Sequence, residues 1–205
     1  MKPDSATIQQ RYNRIAPYFE SLEAVMEGLI FKSWRKKCWQ QAQGYHILEV
    51  GVGTGKNFDF YPTDARITAI DFSKEMLKRA EQKRTQKNVA VELNLMDVQS
   101  LYFADNSFDT VIASFVFCSV PAPLKGLKEL YRVCRPGGQV VLLEHVLSSK
   151  PALASVMNFI NPAIVKLVGA NINRNTLKSV QGCAFSSIHV DERSGDIIKL
   201  IVAKK

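Results

Sequence analysis

The 205-residue chain predicts one α/β domain built on a mostly parallel sheet. Three observations carry this reading. Short apolar runs alternate with helical stretches between residues 46 and 147, the mark of βαβ units. The first run feeds straight into a glycine-rich turn. The end of the chain reads as two strands joined by a tight turn, so the last pairing is antiparallel.

Residues 5–42 read as helices, with Ser5 as N-cap and Ile8, Tyr12, Ile15, Phe19, Leu22, Val25 and Met26 at helical spacing. Pro17 breaks the first helix and Gly28 weakens the second; Trp34, Cys38 and the basic run Arg35-Lys36-Lys37 follow. His46–Val50 is the first strand, and Gly51-Val52-Gly53-Thr54-Gly55 is its exit. Residues 66–70 are the second strand, ending at Asp71. Ser73 opens a helix over 73–87 that puts Met76, Leu77 and Ala80 on one face. Residues 89–95, 108–113 and 139–145 are the third, fourth and fifth strands, with a helix over 125–134 and a turn at Pro136-Gly137-Gly138. Near-continuous apolar runs are what parallel strands covered on both faces require.

Residues 148–180 form an insertion containing Pro151, Pro162 and Gly169. Its apolar stripe, Val156, Phe159, Ile160, Ile164, Leu167 and Val168, suits either ordinary core or a substrate lid. Residues 186–191 and 197–203 close the chain as a hairpin around Glu192-Arg193-Ser194-Gly195. The single domain 1–205 thus comprises N-terminal helices (1–45), a core (46–147), the insertion (148–180), and a helix end with the hairpin (181–205).

Composition narrows the class. The chain is 46% hydrophobic and 22% charged, an ordinary globular balance that excludes disorder. Residues 1–21 carry no secretory pattern, and no apolar run approaches the ~18–20 residues that span a bilayer. Cys38, Cys118, Cys134 and Cys183 form no CxxC pair and no zinc spacing, so no metal site is expected. They read as reduced, structural thiols of a cytoplasmic protein. The net charge is +8, of which +7 lies in residues 1–45 and 148–180, while residues 46–147 sum to zero. Such patches bind nucleic acid, anionic lipid or acidic substrates, or serve only as a soluble surface.

The chemistry-bearing segment is Glu49-Val50-Gly51-Val52-Gly53-Thr54-Gly55. Glycines between a strand and a following turn let the backbone approach a ligand closely and aim N–H groups at it. An acid ending the next strand, here Asp71, can bind a ribose hydroxyl pair. A dinucleotide site needs G-x-G-x-x-G, but its sixth position is Lys56 here. The phosphate-binding G-x-x-x-x-G-K-[ST] spacing is absent too. Glu49, two residues before the first glycine, suits a ligand carrying positive groups, such as the ammonium and sulfonium of S-adenosylmethionine.

Four segments in order then resemble the class I S-adenosylmethionine-dependent methyltransferases: residues 49–55, Ala69-Ile70-Asp71-Phe72-Ser73-Lys74-Glu75-Met76-Leu77, Asp105-Asn106-Ser107-Phe108-Asp109 and residues 130–138. Within that class, residues 11–18, Phe117-Cys118-Ser119-Val120, Leu143-Glu144-His145-Val146 and Asn173-Arg174-Asn175-Thr176 are similar to the ubiquinone/menaquinone group, and there to small phospholipid N-methyltransferases and thiol S-methyltransferases. The resemblance implies a Rossmann-like seven-stranded sheet, parallel except for the last strand, which inserts between the fifth and sixth. It implies S-adenosylmethionine as cofactor and S-adenosylhomocysteine as product. Gly51, Gly53, Thr54 and Gly55 would underlie the cofactor, with Glu49 supporting them, Asp71 on the ribose, Phe72 and Met76 flanking the adenine, and Asp97 and Val98 at its edge. Ser114 and Phe115 would sit beside the transferable methyl.

Bland readings stand beside these. Asp71 also suits a helix start, Asp97 a turn, and Tyr12 and Tyr18 simple packing. Cys118 reads as packing rather than nucleophile. Tyr18 and His145 are the candidate bases, and Tyr12, Cys118 and Arg174 the candidate acceptor contacts. The preferred acceptor is the head-group amine of a membrane phospholipid such as phosphatidylethanolamine, methylated by a cytoplasmic protein held peripherally on an anionic membrane. Leu29, Phe31, Trp34 and Phe159, with Arg35, Lys36 and Lys37, are the expected membrane contacts. The alternatives are a quinone precursor, a small thiol, RNA, or a degenerate fold that only binds.

Overall fold

The computed structural model describes residues 4–19, 31–191 and 196–205. The expected Leu22, Val25, Met26, Gly28 and Leu29, and the hairpin turn 192–195, lie outside the described residues.

Helix α1 (Ser5–Ile15) runs into a 3-10 turn at Ala16–Tyr18, where Pro17 sits. Its N-cap is Asp4, not Ser5: the Asp4 carboxylate accepts from Thr7 N at 2.8 Å, and this frees Ser5 Oγ to donate to Asp97. Helix α2 (Lys32–Trp39) precedes strand β1 (His46–Val50). Then come β2 (Arg66–Asp71), α3 (Lys74–Lys87), β3 (Val91–Leu95), β4 (Phe108–Ser114), α4 (Pro123–Val133) and β5 (Cys134–His145). Helices α5 (Pro151–Val168) and α6 (Thr176–Gln181) and strands β6 (Ser187–Asp191) and β7 (Ile198–Lys204) complete the chain.

The seven strands lie in the order β3-β2-β1-β4-β5-β7-β6. The first five are mutually parallel, and β7 runs antiparallel to both β5 and β6. The expected insertion of the last strand between the fifth and sixth is therefore what the sheet shows. Every residue of β4 is buried, as a central strand covered on both faces must be. One face packs under α4 through Leu127, Leu130 and Val133. The other packs under α2, where Trp34, Cys38 and Trp39 meet Ile47, Ile112 and Val141. Each such large apolar side chain gains about 1.5–3 kcal/mol on burial.

Three local readings change. Asn88 takes the left-handed conformation (φ 51°) that caps α3, so β3 starts at Val91 rather than at residue 89. Pro136-Gly137-Gly138 lies inside β5, at a register irregularity between Phe108 and Thr110, rather than in a turn before it. The insertion's stripe is not core: α5 buries Met157 and Asn161 but leaves Leu153, Val156, Ile160 and Leu167 exposed, and Phe159 is 87% exposed. Among the described residues, no helix is long and apolar enough to cross a membrane.

Candidate functional site

The parallel strands end on one side, and the loops leaving them meet there around a cavity of about 250 Å³. In open α/β sheets this carboxyl edge is where ligands bind. A narrower compartment adjoins the cavity. The two share Gly51, Asp71, Phe72, Val116 and Ser119 as a common wall.

The loop after β1 is fixed from below. Gly51 and Val52 donate to Ile70 O at 2.8 and 3.0 Å. Gly53 holds φ 56°, and a Cβ placed on it meets no protein atom within 4 Å, so its backbone fronts open cavity. Gly55 is packed differently: a Cβ there would strike the Phe58 ring at 2.5 Å. Glu49 does not line the cavity. Its carboxylate accepts from Asn57 Nδ2 and the Tyr61 hydroxyl beneath the loop, and burial pushes its pKa up to about 7. It lies under the loop as the support that the resemblance implies, and not as the charge facing the ligand that its place before Gly51 also suggested.

Asp71 joins loop and helix. Its two oxygens accept from Gly53 N at 2.9 Å and Ser73 N at 2.8 Å. A carboxylate has about four acceptor positions, so capacity remains for a pair of hydroxyls. Burial raises its pKa to about 6, opposed by those backbone donors. In the narrow compartment, Asp97 accepts from Ser5 Oγ at 3.0 Å and Gln99 N at 2.9 Å, and Val98, Phe72 and Met96 supply apolar walls. Met76 and Thr54 line the larger cavity, and Thr54 Oγ1 is buried with no partner among the described residues. An apolar slot with a polar edge, an acid at the junction and bare glycine backbone fit an adenosine-bearing ligand. Among the described residues, no cluster of His, Cys, Asp or Glu would hold a metal.

The loop after β4 forms the opposite wall. Ser114 and Phe115 both line the cavity, and Phe115 holds φ 59°, rare for a bulky residue. That conformation is over-determined. Glu144 Oε1 accepts from Val116 N and Phe117 N, each at 3.0 Å, and Arg174 donates to Phe117 O and Val120 O. Arg174 is thus a clamp on loop carbonyls through its Nη1 and does not line the cavity where it was expected to meet the acceptor. Burial raises the Glu144 pKa to about 7 and leaves Oε2 without a partner among the described residues.

Tyr12, Cys118 and His145 line the cavity, and Tyr12 shares a hydrogen bond with Ser119. Cys118 donates to Phe115 O at 3.3 Å, and burial pushes its pKa up to about 12, so it stays a thiol. His145 is held below its usual pKa by burial, hence neutral near pH 7, and its Nδ1 has no partner among the described residues. Tyr18 stands apart: it is 67% exposed and outside the lining.

Sequence reasoning missed several lining residues: Phe31, Arg35, Lys56, Asn171 and Ile172. Arg35 is the notable one. It is 6% exposed, with Nη1 3.4 Å from Asn57 Oδ1 and its guanidinium 5.1 Å from the Phe115 ring centre. It therefore points inward, not at a membrane, and Trp34 is buried as well. The signal was present: Arg35, Cys38 and Trp39 stand at i, i+3 and i+4, on one helix face.

The fold and this cleft define an α/β protein built to hold an adenosyl ligand at its sheet edge. Residues 48–142 match the family model described as a methyltransferase domain. The chain is 40% identical to a phosphatidylethanolamine N-methyltransferase of Cereibacter sphaeroides over 73% of both chains. It is 35% identical to the human thiol S-methyltransferase TMT1B, over 86% of this chain and 78% of that one. Against the ubiquinone/menaquinone C-methyltransferase UbiE of Bdellovibrio bacteriovorus the identity is 32%, over 82% and 74%. A SAM-dependent methyltransferase of Thermotoga maritima shares the fold at TM-score 0.75 and 18% identity, covering 96% of this chain and 99% of that one. The protein belongs to the S-adenosylmethionine-dependent methyltransferases and is an enzyme of that family.

Proposed function

We propose that the protein methylates the head-group amine of a membrane phospholipid, such as phosphatidylethanolamine, while docked on an anionic membrane surface. The observation that carries this is α5. Beside the face it buries through Met157 it carries a broad exposed apolar arc, in which Leu153, Val156, Phe159, Ile160 and Leu167 stand out. An apolar arc wider than the face a helix buries is left without a partner inside the chain. Residues 148–180 contain no acid, and Lys150, Lys166 and Lys178 are exposed around it. A face that meets lipid uses both features, gaining roughly 1 kcal/mol per basic residue near an anionic surface. Ala170, Asn171 and Ile172, directly after α5, line the cavity, so a lipid held at this helix has its head group near the site. The similarity to a phosphatidylethanolamine N-methyltransferase supports the same acceptor.

S-adenosylmethionine supplies an activated methyl on a sulfonium, so the protein's part is chiefly alignment and exclusion of water. In this reading Gly51, Gly53, Thr54 and Asp71 hold the donor's ribose and methionine, Phe72, Met76, Asp97 and Val98 hold its adenine, and Ser114 and Phe115 front the methyl. An ammonium acceptor must first lose a proton. The neutral, cavity-lining His145 is the base we assign, in place of the outward-facing Tyr18, with Tyr12 and Cys118 shaping the acceptor's berth.

The test is lipid mass spectrometry after expression in a host that lacks phosphatidylcholine. Mono-, di- or trimethylated phosphatidylethanolamine is the expected product. Unchanged lipids, together with methylation of a small thiol or a quinone precursor by the purified enzyme, would overturn the reading.

A further inference from the structure

We propose that Asn171 orients the acceptor, its side-chain oxygen taking one N–H of the attacking nitrogen. The proposal rests on the reading of the acceptor as a head-group amine and deepens it. Asn171 follows α5, is half-buried, and lines the larger compartment together with Cys118 and His145. Its backbone N donates to Cys118 O at 2.8 Å, and its side-chain Nδ2 donates to the same oxygen at 3.1 Å. The next residue is pinned as well, since Ile172 N donates at 2.9 Å to Asn161 Oδ1 on α5. A carbonyl facing a carbonyl would repel, so the amide is turned one way only: Nδ2 meets Cys118 O, and Oδ1 takes the other arm of the amide plane. Oδ1 makes no hydrogen bond among the described residues.

An amide oxygen accepts and never donates, and it carries no charge. His145, the neutral base assigned above, lines the same compartment with its Nδ1 unpartnered among the described residues. Two neutral acceptors suit a group rich in N–H, and they serve it unequally from one transfer to the next. A primary ammonium carries three N–H. One proton goes to the base, which frees the lone pair. The lone pair attacks the methyl carbon, the C–S bond breaks, and its electron pair stays on sulfur. Two N–H then remain to meet Oδ1. After one methylation a single N–H remains at this stage, and after two none does. The nitrogen gains positive charge as the methyl arrives, so an N–H bond to Oδ1 strengthens in the transition state and acts on kcat. Asn171 thus assists a first and a second transfer and has no part in a third. A thiolate gives this oxygen no proton to accept.

The experiment presents phosphatidylethanolamine and its mono- and dimethylated forms separately, in anionic vesicles, and measures the rate of one methyl transfer to each. Asn171→Leu, close in size but with no acceptor, should lower kcat for the first two lipids about 10- to 100-fold and leave the dimethylated lipid within about threefold. Asn171→Ala carries the same test where the leucine is not tolerated. Asn161→Ala releases Ile172 N without removing the acceptor oxygen, and should slow all three lipids by one common factor. Asn171 variants that slow all three alike, or that spare the unmethylated lipid, would overturn the proposal, as would a selective loss in Asn161→Ala. A wild type that methylates none of the three lipids overturns the phospholipid reading together with this one. A wild type active on all three, with no selective loss in the variants, overturns this proposal alone.

Discussion

The cleft has two banks of opposite construction. On the donor side, Asp71 ties Gly53 to Ser73, Gly51 is held on Ile70 O and Asp97 is held by Ser5 and Gln99, and residues 46–147 are electrically neutral. On the acceptor side, α5 presents an apolar surface to solvent, and the charged residues of its segment, 148–180, are all basic. In the proposed reading the donor bank needs no partner, whereas the acceptor bank is finished by an anionic lipid surface outside the chain. A fixed ligand permits a rigid site, and a substrate embedded in a bilayer calls for a surface that merges with the bilayer.

The largest expected effect breaks the donor bank. Gly53→Val places a branched side chain into open cavity at a positive φ, and S-adenosylmethionine binding measured by calorimetry should be lost. Asp71→Asn keeps the shape but removes the charge, and should weaken binding by about 1–3 kcal/mol, with NAD bound by neither protein. Undiminished affinity in both variants would place the cofactor elsewhere.

A smaller effect separates the banks. Phe159→Asp and Leu167→Asp together should cut co-sedimentation with anionic vesicles by about tenfold or more and leave cofactor affinity unchanged, since each removes one apolar insertion of about 1.5–3 kcal/mol. Added salt should weaken the wild type's vesicle binding, because screening acts over ~8 Å at physiological ionic strength. Lys36→Glu with Lys37→Glu tests the α2 run without touching buried Arg35. Equal recovery with neutral and anionic vesicles would remove the membrane from the comparison and favour a water-borne acceptor such as a thiol.

Why one bank was legible and the other was not follows from the residues. A positive φ at Gly51 and Gly53, and an acid at the end of β2, are demands that few residue types meet, so the spacing of Gly51, Gly53 and Asp71 announced the donor side. Apolar periodicity announced α5 as a helix, but Val156 and Phe159 look alike in sequence whether they face core or lipid. Arg35 was hidden by its neighbours: a basic run reads as surface until helical phase is applied to each member. Arg174 and Ser5 were misread for another reason. Their partners, Phe117 O, Val120 O and Asp97, are about 54–92 positions away, and a pattern read locally does not see them.

The smallest effect concerns protons under the loops. Glu144 has a folded-state pKa of about 7 against an ordinary value of 4.5, because burial disfavours its charge. A raised value means that the folded protein holds its proton more tightly. The stability this gives is complete below the ordinary value and is lost as pH rises through about 7. Glu144→Gln, which keeps an acceptor for Val116 N and Phe117 N, should flatten that part of the profile. Thermal melts from pH 5 to pH 8 should show the variant gaining on the wild type by about 1–3 kcal/mol as pH rises. Parallel profiles would mean that Glu144 keeps one protonation state throughout.

Val116 and Ser119 touch both compartments of the cleft, so a donor that spans the two and an acceptor that enters the larger one, as proposed, lean on the same partition. A shift of that partition made by one ligand changes the berth of the other, and free-energy linkage then makes the effect mutual. Whatever factor the acceptor applies to donor affinity, the donor must apply to acceptor affinity. The partition of residues 115–120 is held by Glu144 and Arg174, so any such coupling between donor and acceptor would run through those two holds.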